Sequence, residues 1–145
     1  MKYTRELTSL VAAPFAIWII GWAHEYVFDA TIGIVAGLAL YEFLILGERK
    51  GYRVPKTICF AVMLFILAAF VLEPISVEMG VFVALLVIPA SYVFMRGSLD
   101  EALPSSAIAV MATLYVGMLG GSLIRLRGDF PQDGPKLIFF LLLVV

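Results

Sequence analysis

The 145-residue chain has one cysteine and one histidine. A single thiol, Cys59, cannot close an intrachain disulfide, and a zinc site needs several ligands at defined spacing. A single imidazole, His24, excludes a histidine-based metal cluster or triad within the chain. Charge is scarce too: Asp, Glu, Lys and Arg make up 14% of the residues, against roughly 25% in soluble domains. The net charge is −1, with no basic stripe of the kind nucleic acid requires. There is also no phosphate-cradling Walker loop, no Gly-x-Ser-x-Gly turn and no pair of carboxylates inside an apolar stretch. Nucleotide-loop chemistry, serine hydrolysis and metal chemistry on clustered histidines therefore have no footing in these residues.

What fills the chain is apolar. Hydrophobic residues reach 63%, and the charges sit in short clusters between long apolar stretches. The expected fold is all-α, a polytopic transmembrane helix bundle with five complete spans and a truncated sixth. The spans are placed at Leu7–Ala23, Ala30–Leu46, Thr57–Leu72, Val77–Met95 and Ser105–Ile124, and the sixth starts at Leu137. His24–Asp29, Gly47–Lys56, Glu73–Ser76, Arg96–Pro104 and Arg125–Lys136 are read as the connections, too short for a soluble domain. The run Leu137–Val145 carries no charge, cap or turn. It is expected to be the front of a span cut short, with further chain and chemistry beyond it. Lys2 and Arg5 before an apolar stretch resemble a signal peptide, but the closely following second span favours a helical hairpin.

Orientation follows from the basic residues. With the N-terminus in the cytoplasm, Lys2, Arg5, Arg49, Lys50, Arg53, Lys56 and Arg96 all lie inside, while the first two outer loops carry only Glu25, Asp29, Glu73 and Glu78. Arg125, Arg127 and Lys136 do not fit this scheme and are expected to be balanced by Asp129 and Asp133 or to snorkel.

Glu42 is the only acid placed inside a span away from its first residues (Glu78 sits at the very start of its own), so it is a candidate for lining a polar cavity. It lies four residues from the end of its span, so a structural hydrogen bond is the competing role. Arg49 and Lys50, with Arg53 and Lys56, form a juxtamembrane patch that sets topology and attracts anionic headgroups, and a specific phosphate contact is the sharper alternative. Gly33-xxx-Gly37 and Gly117-xxx-Gly121 are expected at helix interfaces. Pro14 and Pro89 are expected to kink their spans. Trp18, Trp22, Tyr26 and Tyr92 are expected at the membrane interface. No residue reads as catalytic or metal-binding.

Four stretches, in order, carry a resemblance. They are Thr4-Arg5-Glu-Leu-Thr-Ser-Leu-Val-Ala-Ala-Pro14, Leu40-Tyr41-Glu42-Phe43, Leu114-Tyr115-Val116-Gly117 followed by Ser122-Leu-Ile-Arg125, and Gly134-Pro-Lys-Leu-Ile-Phe-Phe-Leu-Leu-Leu-Val-Val145. Together they resemble the N-terminal half of phosphatidate cytidylyltransferase (CDP-diacylglycerol synthase). The resemblance implies that residues 1–145 are the N-terminal transmembrane region of a longer inner-membrane enzyme whose catalytic region lies further on. It implies transfer of CMP from CTP to phosphatidic acid in phospholipid biosynthesis, a divalent metal (magnesium expected) in the full-length enzyme, and a homodimer as a candidate assembly. No catalytic residue carries over. Arg5 and Glu42 match family positions, and Arg5, Arg49 and Lys50 are candidate lipid-headgroup contacts. These residues alone are expected to show no cytidylyltransferase activity and to bind no metal. Two other classes compete: a fragment of a transporter or channel, which would bury polar residues mid-span, and a small non-enzymatic membrane scaffold.

Overall fold

A computed structural model describes residues 18–21, 24–72, 74–94, 99–130 and 133–144. Regular structure among these residues is entirely helical. Five helices follow one another: α1 (Glu25–Arg49), α2 (Lys56–Val71), α3 (Val77–Phe94), α4 (Leu99–Asp129) and α5 (Gly134–Val144). Residues 18–21 add a helical turn before them.

Local chemistry sets the ends of these helices. The C-terminus of α1 closes in a Schellman motif. Gly51 takes the left-handed conformation at φ 91°, its N–H donates to Glu48 O at 2.9 Å, and Tyr52 N–H donates to Gly47 O at 3.2 Å. Pro55 then starts α2, and Leu72, followed by Pro74, ends it. Ser76 caps α3, its Oγ accepting from Met79 N–H at 3.3 Å.

Among the described residues, three helices are long and apolar enough to cross a membrane: Glu25–Arg49, Val77–Phe94 and Glu101–Asp129. The expectation of five complete spans is therefore met only in part. The span placed at Leu7–Ala23 lies outside the described residues except for 18–21. The third, α2, has 16 residues, about 24 Å at 1.5 Å per residue, shorter than a ~30 Å hydrocarbon core.

Several expected connections are helical instead. Glu25–Asp29 forms the first turns of α1, Leu99–Pro104 opens α4, and α4 continues through Asp129. Hydropathy marks the length of chain that tolerates lipid, whereas the backbone stays helical until a cap or breaker stops it. Leu99, Glu101 and Ala102 supply no breaker, Pro104 is accommodated near the start of the helix, and α4 reaches 31 residues, about 46 Å.

The long α4 packs against each of the other four helices. Its buried face is built from small residues: Ser105, Ala109, Ala112, Thr113, Gly117, Gly120 and Gly121. Such a face lets neighbouring backbones approach closely, which is where association in a membrane draws its energy. A β-carbon on Gly117 would sit 3.2 Å from Ile66 of α2, and one on Gly121 would overlap the Phe70 ring. The second expected glycine pair differs: Gly37 lies against Phe60, but nothing stands within 4 Å of a β-carbon on Gly33. Leu40, Leu44, Cys59, Ile66, Ala84 and Ile88 complete the main core. A smaller cluster joins Ile19, Ile20, Phe28 and Ile138.

Candidate functional site

Short connections make successive helices antiparallel, so the C-terminus of α1 and the N-termini of α2 and α4 meet at one end of the bundle. A β-carbon on Gly47 would lie 3.4 Å from Ile108 and 3.6 Å from Val54, which fixes that meeting. The basic residues collect here. Arg49 occupies the last turn of α1, where its charge opposes the helix dipole favourably. Lys56 opens α2, the unfavourable end for a cation, and is offset by a 2.7 Å salt bridge to Glu48 and by the Tyr41 ring 5.4 Å from its Nζ. Both partners of that bridge are about a third exposed or more, so it contributes a fraction of ~1 kcal/mol. Lys56 is thus drawn toward protein, while Arg49 and Lys50 stand exposed.

Tyr92, expected at the membrane interface, is instead buried, and its hydroxyl donates to Arg53 O at 2.7 Å. The bond ties the end of α3 to the α1–α2 connection and holds the basic loop in place. Phenol rings favour interfaces because one end is polar, and here a carbonyl inside the bundle serves that end. Nearby, one turn before Ile108, Ser105 Oγ is buried with no hydrogen-bond partner. The other buried hydroxyl on this face, Thr113, bonds back to Ala109 O at 2.8 Å.

Glu42 lies on the side of α1 opposite Leu40 and Leu44 and is exposed. Among the described residues no salt bridge reaches it, and it is not gathered with Arg49 and Lys50 into one cluster. Arg5 lies outside the described residues. Among those described, no group of three or more His, Cys, Asp or Glu side chains is placed to hold a metal ion.

The opposite end explains the basic residues that did not fit the charge scheme. Arg125 Nε contacts Asp129 Oδ2 at 3.4 Å, and Lys136 Nζ contacts Asp133 Oδ1 at 2.9 Å. Arg127 is only 8% exposed. Its Nη1 donates to Ile19 O at 3.1 Å and Ile20 O at 2.5 Å, and the guanidinium lies 4.6 Å from the Phe28 ring centroid. A guanidinium spent on the carbonyl end of a preceding helical turn is an interhelical pin. By sequence it reads as a loop charge, and no local motif separates Arg127 from its neighbour Arg125. The signal is its spacing: Ile124 and Arg127 fall on the buried face of α4, and Arg125 does not.

The bundle is that of a helical membrane protein with a basic rim at one end. The cytidylyltransferase family matches residues 3–145, and the chain belongs to that family. Family membership supports CTP-using nucleotidyl transfer as the chemistry. No curated protein and no solved structure matches the chain.

Proposed function

We propose that this chain belongs to an enzyme transferring CMP from CTP to phosphatidic acid, giving CDP-diacylglycerol and pyrophosphate. The observation that carries the proposal is the family match across residues 3–145, on a chain whose helices are apolar enough to cross a membrane. A nucleotidyltransferase built this way is suited to a lipid acceptor: a water-soluble acceptor needs no membrane body. In the transfer, a phosphate oxygen of the lipid attacks the α-phosphorus of CTP, the bond to the β-phosphate breaks, and pyrophosphate leaves. Both reactants are anions, and a divalent cation in the complete enzyme would lower their repulsion.

For this chain's own residues we assign a preparatory role. Arg49 and Lys50 stand at the end of α1, where at headgroup level each would attract an anionic lipid surface by ~1 kcal/mol. They would concentrate phosphatidic acid at the rim without touching the reacting phosphorus. Arg5 is proposed to join them. We place this rim on the cytoplasmic face, where CTP is available, with the N-terminus on the same side. The pairing of Arg125 with Asp129 and of Lys136 with Asp133, and the structural use of Arg127 between helices, support this by accounting for the charges that opposed it.

The test is to supply labelled CTP to membranes containing the protein expressed from its own gene, with phosphatidic acid or glycerol 3-phosphate as acceptor. The expected result is labelled CDP-diacylglycerol from the first and no product from the second. Transfer to glycerol 3-phosphate alone would overturn the lipid assignment.

A further inference from the structure

The short α2 has a consequence at the end of the bundle away from the basic rim. It stops at Val71, while α1 and α4 continue alongside. The space left is a cavity of about 820 Å³ bounded by α1, the end of α2, the start of α3 and the last turns of α4. That volume falls within the ~300–1,000 Å³ common for small-molecule sites. Its floor is apolar, with Phe70, Ile75 and Ile124, and its wall carries Glu25, Asp29, Glu78, Asp129 and a single cation, Arg125. Arg125 already contacts Asp129. No salt bridge among the described residues reaches Glu25, Asp29 or Glu78. Asp29 is the least exposed of the four acids, and the charge of Arg127, whose guanidinium hydrogen-bonds Ile19 and Ile20 carbonyls, also acts on it. Four carboxylates thus face two cations among the described residues, leaving the wall with an excess of negative charge beside aromatic and aliphatic side chains. The Tyr26 ring is also on the lining.

We propose that this crevice binds the ammonium group of an amine-bearing amphiphile. Carboxylates with nearby aromatic faces attract an alkylammonium ion by charge and by cation–π contact, and the apolar floor receives the adjoining chain. The ends of two candidate spans, Glu25–Arg49 and Val77–Phe94, border the crevice, and crossing of the bilayer by these helices would set it at headgroup depth. An aminophospholipid headgroup meets these conditions, and a soluble polyamine shares the ammonium chemistry without the chain. Anionic lipids, including phosphatidic acid, are repelled by the same wall. The site is therefore distinct from the rim that concentrates the acceptor, and it stands whether or not that reading holds.

The test is native mass spectrometry of the purified chain in a neutral detergent with dihexanoyl phosphatidylethanolamine, dihexanoyl phosphatidylglycerol or spermidine. The wild-type chain should retain the ethanolamine lipid in preference to the glycerol lipid. The double variant Asp29→Asn/Glu78→Gln should lose about tenfold in that preference, the equivalent of two exposed ion pairs. Arg125→Gln removes the competing cation and should leave ethanolamine-lipid retention equal or stronger, so it decides the matter if the double variant does not fold. Competition by spermidine supports the ammonium site with a soluble source, and retention of the lipid against spermidine supports the lipid source. Equal retention of the two lipids, or loss of ethanolamine-lipid binding in a folded Arg125→Gln chain, would overturn the proposal.

Discussion

Replacing Arg127 with methionine separates two meanings of a basic residue in a membrane protein. If Arg127 is an interhelical pin, Arg127→Met should weaken the fold and leave orientation unchanged. If it is a topology charge, the reverse should hold. The structure sets the magnitude. Two hydrogen bonds from a charged donor, to Ile19 and Ile20 carbonyls, are lost, each contributing about 1.5 kcal/mol at the low end of the range for charged groups. Loss of the guanidinium from the Phe28 ring at 4.6 Å adds about 1 kcal/mol. Against this, methionine relieves the cost of holding a buried cation and keeps most of the aliphatic stem. A net loss of about 2 kcal/mol remains, or a fall in Tm of about 6 °C on the scaling for domains of this size. The assay is thermal unfolding in detergent followed by tryptophan fluorescence, since Trp18 lies on the helical turn that the pin holds. A terminal reporter should show the same orientation in both proteins. An unchanged midpoint with inverted or mixed orientation would refute the reasoning.

Two further outcomes follow from the same packing and charge arguments. Gly121→Ala drives a methyl into the Phe70 ring and should destabilise by about 1–3 kcal/mol, whereas Gly33→Ala meets nothing within 4 Å and should be neutral or mildly stabilising; equal effects in detergent unfolding would contradict the interface assignment. Arg49→Gln with Lys50→Gln should raise the phosphatidic acid concentration for half-maximal rate by about tenfold, less than the full ~1 kcal/mol per charge predicts because mixed micelles are partly neutral. A fall in kcat alone would show that these residues do more than gather substrate.

The helical bundle was legible because long apolar stretches separated by charge clusters have few other solutions. Helix ends were not: Glu25 and Asp29 read as a loop by hydropathy, yet nothing there breaks a helix, and α1 includes them. Gly117 and Gly121 were recognisable as interface residues, and α2 occupies that groove. Gly33 and Gly37 have the same spacing but no close neighbour at Gly33, because spacing shows that a backbone could approach without showing that one does. Tyr92 is the converse case. Its place near a span end suggested the interface, and only the Arg53 carbonyl, 39 positions away in sequence, decides for burial. The rim residues Arg49 and Lys50 could be picked out as a pair, while the cavity beside α2 could not, since it comes from the mismatch in length between neighbouring helices.

The central claim is a lipid-directed cytidylyl transfer with the basic rim facing CTP. Sealed vesicles of both orientations, prepared from membranes containing the protein and given labelled CTP that cannot cross the bilayer, test it most directly. The account predicts labelled CDP-diacylglycerol from inside-out vesicles, and from right-side-out vesicles only after they are made permeable. Product from intact right-side-out vesicles would reverse the orientation, and no CTP-dependent lipid product from either kind would contradict the assignment itself.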